Sequence, residues 1–521
     1  MIHRSGVFRI LLLSALLWGT NILWFSRDTR PPVWDMALHQ AYAIGYMNPS
    51  TVPPGTALWE RSGNYPPFVH LLIAFVFLVL HPGPHVAALV NVPATFILLW
   101  AVYELAGILA GDLAATWACI LTVLTPYLIW MSRETVLDYW LSALFAAALV
   151  ALLKTRGFQS HRWSLLFGFL LALGLLTKWL FAGLVFFPIL YVALRNRIWR
   201  NPEQGINFAD MLIAGGAVAG IWYLPNLPRL SRFFWQNAAI GAREGEPPVF
   251  SFQSLIYYAR LLEGYQLLAL LFMMVCLGCF FVLRKRLGGE WRFLALSIAG
   301  GWLVLTLLRT KDPRFTMPLI GPLLIFPGTW IQSWKKTSLN KAIQVVLVAL
   351  LCVQAYAANF GISGIPKRIV LVPGYQGSFR WDWNLYIQDY FNTLGKPRRE
   401  DWKQGEILKE LAIDSRKRNA EASLALIPDL PFFNESNFRL YAAIRGTRIR
   451  IAHLQSAERG FASFDGFNYV LMVEGEQGMA WTTGGSKALN KIVVDSPQVF
   501  RLVGLYNLPT GDSVRLYFIQ R

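Results

Sequence analysis

Eleven apolar runs in succession constrain this chain more than any other feature. They lie at about 7–25, 86–108, 113–131, 138–153, 163–177, 179–194, 208–226, 264–283, 292–308, 316–334 and 341–359. A helix that crosses a bilayer needs about twenty predominantly apolar residues, and most of the runs follow one another closely. The composition agrees. The chain of 521 residues is 55% hydrophobic, with mean hydropathy +0.41 and only 15% charged residues, whereas soluble domains run nearer a quarter charged. The expected fold is therefore mostly α and polytopic, with about eleven transmembrane helices and a small soluble α/β domain at the C-terminus.

The formal net charge is +18, a value that could signal nucleic acid. Here the basic residues sit in short clusters between apolar runs: Lys154, Arg156 and Arg162; Arg195, Arg197 and Arg200; Arg284, Lys285 and Arg286; Lys335, Lys336 and Lys341. That placement is what the positive-inside rule produces, so it reports topology and no nucleic-acid partner is expected. His3, Arg4 and Arg9 give the first segment a basic start; it has no small-residue cleavage site and reads as a retained span with a cytoplasmic N-terminus. Counting onward puts residues 26–64, 132–138, 177–178, 227–263 and 309–314 together on the outer side. The run at 66–80 is too short to cross, and a crossing there would place every later basic linker outside. It is expected to lie in the interface or to re-enter.

From about residue 361 charges become frequent. The expected division is a membrane domain over 1–360, with an outer catalytic loop at 26–64, and a soluble extracytoplasmic domain over 361–521. Helices are predicted at 402–413 and 438–445, and strands at 423–427, 448–453, 469–473, 501–506 and 513–519. Trp381, Asp382, Trp383, Tyr386 and Tyr390 suit an interfacial aromatic anchor. Cys119, Cys276, Cys279 and Cys352 all fall in apolar runs, where disulfides or a zinc site are not expected. No metal or other cofactor is predicted.

Ionisable groups beside spans are costly and need explaining. Asp35 lies in the long aromatic first loop with Asp28 and Glu60, and His39 shares its face if that stretch is helical. Arg133, Glu134 and Asp138 lie between two runs. Lys178 sits in a tight turn, and Arg309, Lys311, Asp312 and Arg314 crowd one linker. Separate acids and several cations at one membrane depth form the inventory for a reaction on a phosphorylated lipid. Arg holds phosphate by bidentate hydrogen bonds and Lys as a point charge, while a carboxylate takes the proton of an attacking hydroxyl. The plainer alternatives are snorkelling anchors for the cations and a solvated or helix-capping role for Asp35.

In order and spacing these pieces resemble the GT-C membrane glycosyltransferases, in the branch of protein mannosyltransferases and aminoarabinose transferases. The pieces are Trp34 and Asp35 in a first loop, then Tyr65, Pro66 and Pro67. Thr125 and Pro126 lead into Ser132, Arg133 and Asp138; Gly174 to Lys178 and Trp222 to Pro225 follow, and Arg314 to Pro318 opens a late span. The resemblance implies a polyprenyl-phosphate-sugar donor, membrane lipids as surroundings and an inverting transfer to a hydroxyl acceptor on lipid, glycan or protein. It implies Asp35 as general base or acceptor-positioning acid and Asp138 as the second acid, with Lys178 and Arg314 at the lipid phosphate; Arg133 and Lys311 are further phosphate candidates. His39, Glu134 and Tyr65 are the positioning candidates. Protein mannosyltransferases carry an acidic pair where Met36 follows Asp35, which points toward bacterial relatives acting on lipids or glycans, in a plasma membrane. The Trp-Trp-Asp-Tyr-Gly signature of oligosaccharyltransferases is absent. The competing class is a transporter or lipid flippase, which would place its charges near the midplane within repeats.

Overall fold

The computed structural model describes residues 4–243, 246–284, 288–361 and 396–520. His3, Lys285, Arg286 and the aromatic cluster from Trp381 to Tyr390 lie outside the described residues. In chain order the first helices are α1 (Arg4–Phe25), α2 (Trp34–Met47), α3 (Phe68–Leu80), α4 (Asn91–Ala110), α5 (Asp112–Val123) and α6 (Pro126–Ser132). Then come α7 (Leu137–Lys154), α8 (His161–Thr177), α9 (Leu180–Asn196), α10 (Pro202–Arg243), α11 (Phe252–Leu261) and α12 (Leu268–Leu283). The last are α13 (Gly289–Leu307), α14 (Met317–Gln332), α15 (Ser338–Phe360), α16 (Gln404–Lys417), α17 (Glu435–Ile444) and α18 (Ala480–Val494). The chain divides into two compact units. One comprises Met1–Trp24, Asn64–Val69 and Val90–Lys396; the other comprises Phe25–Gly63, His70–Leu89 and Pro397–Arg521.

The first unit is helical. All eleven apolar runs emerge as helix. Among the described residues seven helices are long and apolar enough to cross a membrane, and the bent pair α5–α6 makes an eighth. A helix apolar all round must be buried, and α7 is: 89% of its apolar window lies inside the protein, against 28% for α1 and 22% for α10. Ala143, Ala146, Ala147, Ala148 and Ala151 keep its surface narrow, so α4, α8 and α14 pack closely on it. The poorly covered apolar faces of α1 and α10 are what a lipid-facing helix requires.

Three departures from the apolar pattern matter for the site. The run at 113–131 is not one helix, because α5 and α6 meet at 66°. Pro126 opens α6 and holds Thr125 extended, as the residue before proline usually is. The segment expected to be a linker from 227 is instead helical to Arg243, through Pro225 and Pro228; proline's fixed φ is itself helical, and each costs one backbone bond. The span expected from 264 begins at 252 and is interrupted by a π-turn over Leu262–Leu267, with Leu268 at φ +63°. That turn buries Glu263 and Gln266 inside a span.

The second unit is α/β. Its strands are β1 (Ser423–Leu426), β2 (Arg450–His453), β3 (Tyr469–Val473), β4 (Phe500–Asn507) and β5 (Ser513–Ile519), in the order β2-β1-β3-β5-β4. β1 pairs in parallel with β2 and β3, whereas β5 is antiparallel to β3 and β4. One face is packed by Ile427, Phe464, Val470, Met472, Leu489, Val493 and Phe500. The first loop belongs to this unit, and α2 packs on α17. Asp28 accepts the backbone N–H of Arg398 at 2.8 Å and Arg30 Nε at 2.7 Å. Thr29 exchanges bonds with Arg398 and Glu400, the Arg30 guanidinium covers the Phe432 ring, and Arg448 donates to Val52 O at 2.9 Å.

Candidate functional site

In the helical unit, three connections and the π-turn converge on one ionised cluster. Asp138 stands in the first turn of α7, where free backbone N–H groups favour a carboxylate. Lys178 is the residue between α8 and the turn into α9; its Nζ donates to Asp138 Oδ1 at 2.8 Å and Oδ2 at 2.9 Å, with both side chains buried. The same Nζ lies 4.6 Å from the centre of the Phe315 ring. Beside Phe315, Arg314 Nε reaches both oxygens of Asp312 at 3.0 Å, and a terminal nitrogen reaches Oδ2 at 2.6 Å. Burial pushes the Asp312 carboxyl up, but the charge and hydrogen bonds of Arg314, with Lys178 beyond, hold it below the usual carboxylate range.

Neutral groups fix the segment. Gln266, from the π-turn, donates to Pro313 O and accepts from Thr316 Oγ1 at 2.9 Å. Tyr127 of α6 lies within electrostatic reach of Asp138, Asp312 and Arg314. The result is two carboxylates matched by two cations in a mostly apolar setting. Removing one partner of the buried Asp138–Lys178 pair costs about 3–5 kcal/mol, because the other charge is stranded, whereas Arg314 and Asp312 are partly exposed and lose less. A planar guanidinium beside an ammonium is also a phosphate-binding set, and an arriving phosphate oxygen competes with the carboxylates for the same N–H groups.

The structure thus brings Asp138, Lys178 and Arg314 together. Arg133 lies with its guanidinium 4.4 Å from the centre of the Trp24 ring, and Glu134 accepts from Trp130 Nε1 at 3.1 Å. Asn91 pins that turn through the carbonyls of Ser132 and Glu134. Lys311 faces the end of α13, where its Nζ donates to the carbonyls of Leu305, Thr306 and Leu308 at 3.3, 2.8 and 2.8 Å. Burial pushes its ammonium down to about 8. Tyr65 is half-buried in the short Asn64–Val69 segment of this unit.

In the α/β unit, Asp35 is half-buried in the first turn of α2. The helix places His39 one turn on, and His39 Nδ1 lies 2.9 Å from His70 Nε2, with the Tyr42 ring edge-on to His70. Trp34 begins the helix at φ +27° and donates its indole N–H to Asp429 Oδ1 at 2.9 Å. Sequence reasoning gave Asp312 no partner and passed over Gln266 and Asp429. Asp312 was readable from its place two residues before Arg314; Gln266 and Asp429 carry no local signal.

Residues 64–224 match the family described as dolichyl-phosphate-mannose-protein mannosyltransferase. No curated protein sequence matches the chain. Among solved structures, ArnT from Cupriavidus metallidurans in the apo state aligns with TM-score 0.59 and 14% identity over 97% of each chain. The same protein bound to undecaprenyl phosphate gives 0.58 and 13%, over 99% of this chain and 98% of that one. The oligosaccharyltransferase AglB from Archaeoglobus fulgidus, in complex with an inhibitory peptide and a dolichol-phosphate, gives 0.52 and 10%, over 98% of this chain and 74% of that one. The chain has the GT-C fold of these membrane proteins, with the small C-terminal sheet domain included. Fold and family match together support a membrane glycosyltransferase of the protein mannosyltransferase and ArnT type.

Proposed function

We propose that this protein moves a sugar from a polyprenyl-phosphate-sugar to a hydroxyl on a lipid, glycan or protein, at the extracytoplasmic face of a bacterial plasma membrane. The observation that carries the reading is the Asp138–Lys178 and Asp312–Arg314 cluster, set in a fold shared with a transferase solved with undecaprenyl phosphate. Asp35 accepts the acceptor's proton as the acceptor oxygen attacks the anomeric carbon from the face opposite the phosphate. The bond from that carbon to the phosphate oxygen breaks, the configuration inverts, and polyprenyl phosphate leaves with one more negative charge. Lys178 and Arg314 stabilise that charge, a task a metal performs in other transferases; no metal is assigned to the site. Asp138 keeps Lys178 in place. Arg133 adds positive charge, while Lys311 acts through the segment it anchors. His39, Glu134 and Tyr65 position the substrates.

The test uses the purified protein in lipid nanodiscs with radiolabelled undecaprenyl-phosphate hexoses, pentoses and aminoarabinose. Transfer or hydrolysis of one of these is expected. Asp35→Asn should lower single-turnover transfer by at least about a hundredfold, the usual worth of general-base assistance, with undecaprenyl phosphate binding and melting temperature unchanged. Normal turnover in Asp35→Asn moves the base to Asp138. Activity in both Asp35→Asn and Asp138→Asn sinks the assignment and favours a transporter.

A further inference from the structure

In open α/β sheets, ligands bind outside the carboxyl ends of parallel strands, at the point where the chain changes direction across the sheet. Here β1 is that point. The chain leaves it through α17 to reach β2 on one side, then crosses to β3 on the other. The place where a small molecule would ordinarily sit is taken by this chain's own first loop. Just past β1, Asp429 accepts the indole N–H of Trp34 at 2.9 Å, and Pro431 O accepts the Trp34 backbone N–H at 3.4 Å. Asn437 of α17 donates its side-chain N–H to Pro32 O at 2.6 Å.

The gripping residues are themselves held. Asp429 donates its backbone N–H to Gln477 O at 2.9 Å, and the Gln477 side chain is tied to the carbonyls of Val473 and Gly475 after β3. Gly478 adopts φ +107° against the carbonyl of Asp429, and a Cβ there would collide with it. Asn434 caps α17 through Ser436 and also donates to the carbonyls of Leu430 and Pro431. Trp34 has φ +27°, a conformation that L side chains rarely adopt. Such a conformation costs on the order of 1–3 kcal/mol and persists only where the surroundings over-determine it. The next residue is Asp35.

We propose that Asp429 and Asn437 are positioning residues for Asp35: the C-terminal domain uses its strand-end crevice to seize Pro32 and Trp34 and so aims the first turn of α2. The inference rests on the role given to Asp35 above, but it is separable from it. Positioning acts on the rate of transfer rather than on donor affinity, and small misplacements of a reacting group cost up to about a hundredfold.

The experiment compares Asp429→Ala, Asp429→Asn, Trp34→Phe and the Asp429→Ala/Trp34→Phe double variant, in the full chain in nanodiscs. Single-turnover transfer is measured at saturating donor, together with undecaprenyl phosphate affinity, melting temperature and hydrogen exchange at residues 36–38. Asp429→Ala and Trp34→Phe should each lose about ten- to a hundredfold in rate, with affinity unchanged and faster exchange at 36–38. The double variant should be no worse than either single, since both remove one interaction. Asp429→Asn should recover most of the rate, because its amide oxygen still accepts the indole N–H. Wild-type transfer in Asp429→Ala overturns the proposal, as do additive losses in the double variant. A fall in affinity and melting temperature that tracks the fall in rate, without recovery in Asp429→Asn, also overturns it and leaves Asp429 a merely structural residue. If Asp35→Asn is inert while Asp429→Ala is normal, the positioning inference alone fails; if Asp35→Asn is active, the base assignment fails.

Discussion

Two regions of this protein bury carboxylates against cations, and they do so differently. In the helical unit, Asp138 pairs with Lys178, and Asp312 is met chiefly by Arg314. These are mostly side-chain partnerships at the ends of helices, with one local backbone bond, from the Arg314 N–H to Asp312 Oδ1 at 2.7 Å. In the α/β unit, Asp28 holds Arg30 but also the backbone N–H of Arg398, and His85 Nε2 lies 2.9 Å from Asp28 O. Bonds to backbone tie together stretches 370 residues apart in sequence. The first arrangement can exchange a side-chain partner without releasing distant stretches of chain. The second cannot open without releasing chain, so it is scaffold.

The largest effect that tests this contrast falls on the scaffold. Asp28→Ala removes the carboxylate that the buried Arg30 and the Arg398 amide share, and should cost about 3–5 kcal/mol of stability, read as a drop in melting temperature with undecaprenyl phosphate affinity intact in the folded fraction. Next comes Arg314→Ala. Charge-assisted hydrogen bonds are worth about 1.5–3 kcal/mol, so undecaprenyl phosphate should bind about ten- to a hundredfold more weakly, and Arg314→Lys should restore part of it because charge stays while the bidentate geometry goes. If Arg314→Ala melts as early as Asp28→Ala and still binds normally, the two regions do not differ in kind.

The smallest effect sharpens the boundary between them. Lys311 has its ammonium pushed down to about 8 from 10.5 by burial. Between those values the unfolded chain holds more protons than the folded one, so stability rises with pH through that window. A melting series from pH 7.5 to 9.5 should show a small rise in the wild type that Lys311→Met lacks. An equal rise in both would remove Lys311 as its source.

Much of this was legible in sequence, for physical reasons. Apolar runs force helices wherever water is excluded, and all eleven are helical, though the run at 113–131 breaks into α5 and α6 and, among the described residues, seven or eight are long and apolar enough to span. β3 and β5 occupy the stretches expected of them, where bulky and β-branched residues recur between turns. Lys178 stood out because a charge in a tight turn between spans demands a partner, and Asp138, 40 residues earlier, supplies it. What could not be read is pairing across longer separations: Trp34 with Asp429 spans 395 residues and Asn437 with Pro32 spans 405. One helix of this unit also runs against local propensity. Thr482, Thr483, Gly484 and Gly485 are poor helix formers, yet α18 forms because Leu489 and Val493 are needed in the core.

The residence of the first loop in the C-terminal unit has a consequence for synthesis. Trp34 leaves the ribosome 395 residues before the Asp429 that receives it. At roughly 5–20 residues per second, the loop waits on the order of 20–80 seconds for its partner. Until then Trp34 and Pro32 lack the side chains of Asp429 and Asn437, and a nascent chain with every span inserted still lacks the clamp beside Asp35. The bonds that hold Trp34 therefore form only after the C-terminal unit has been made.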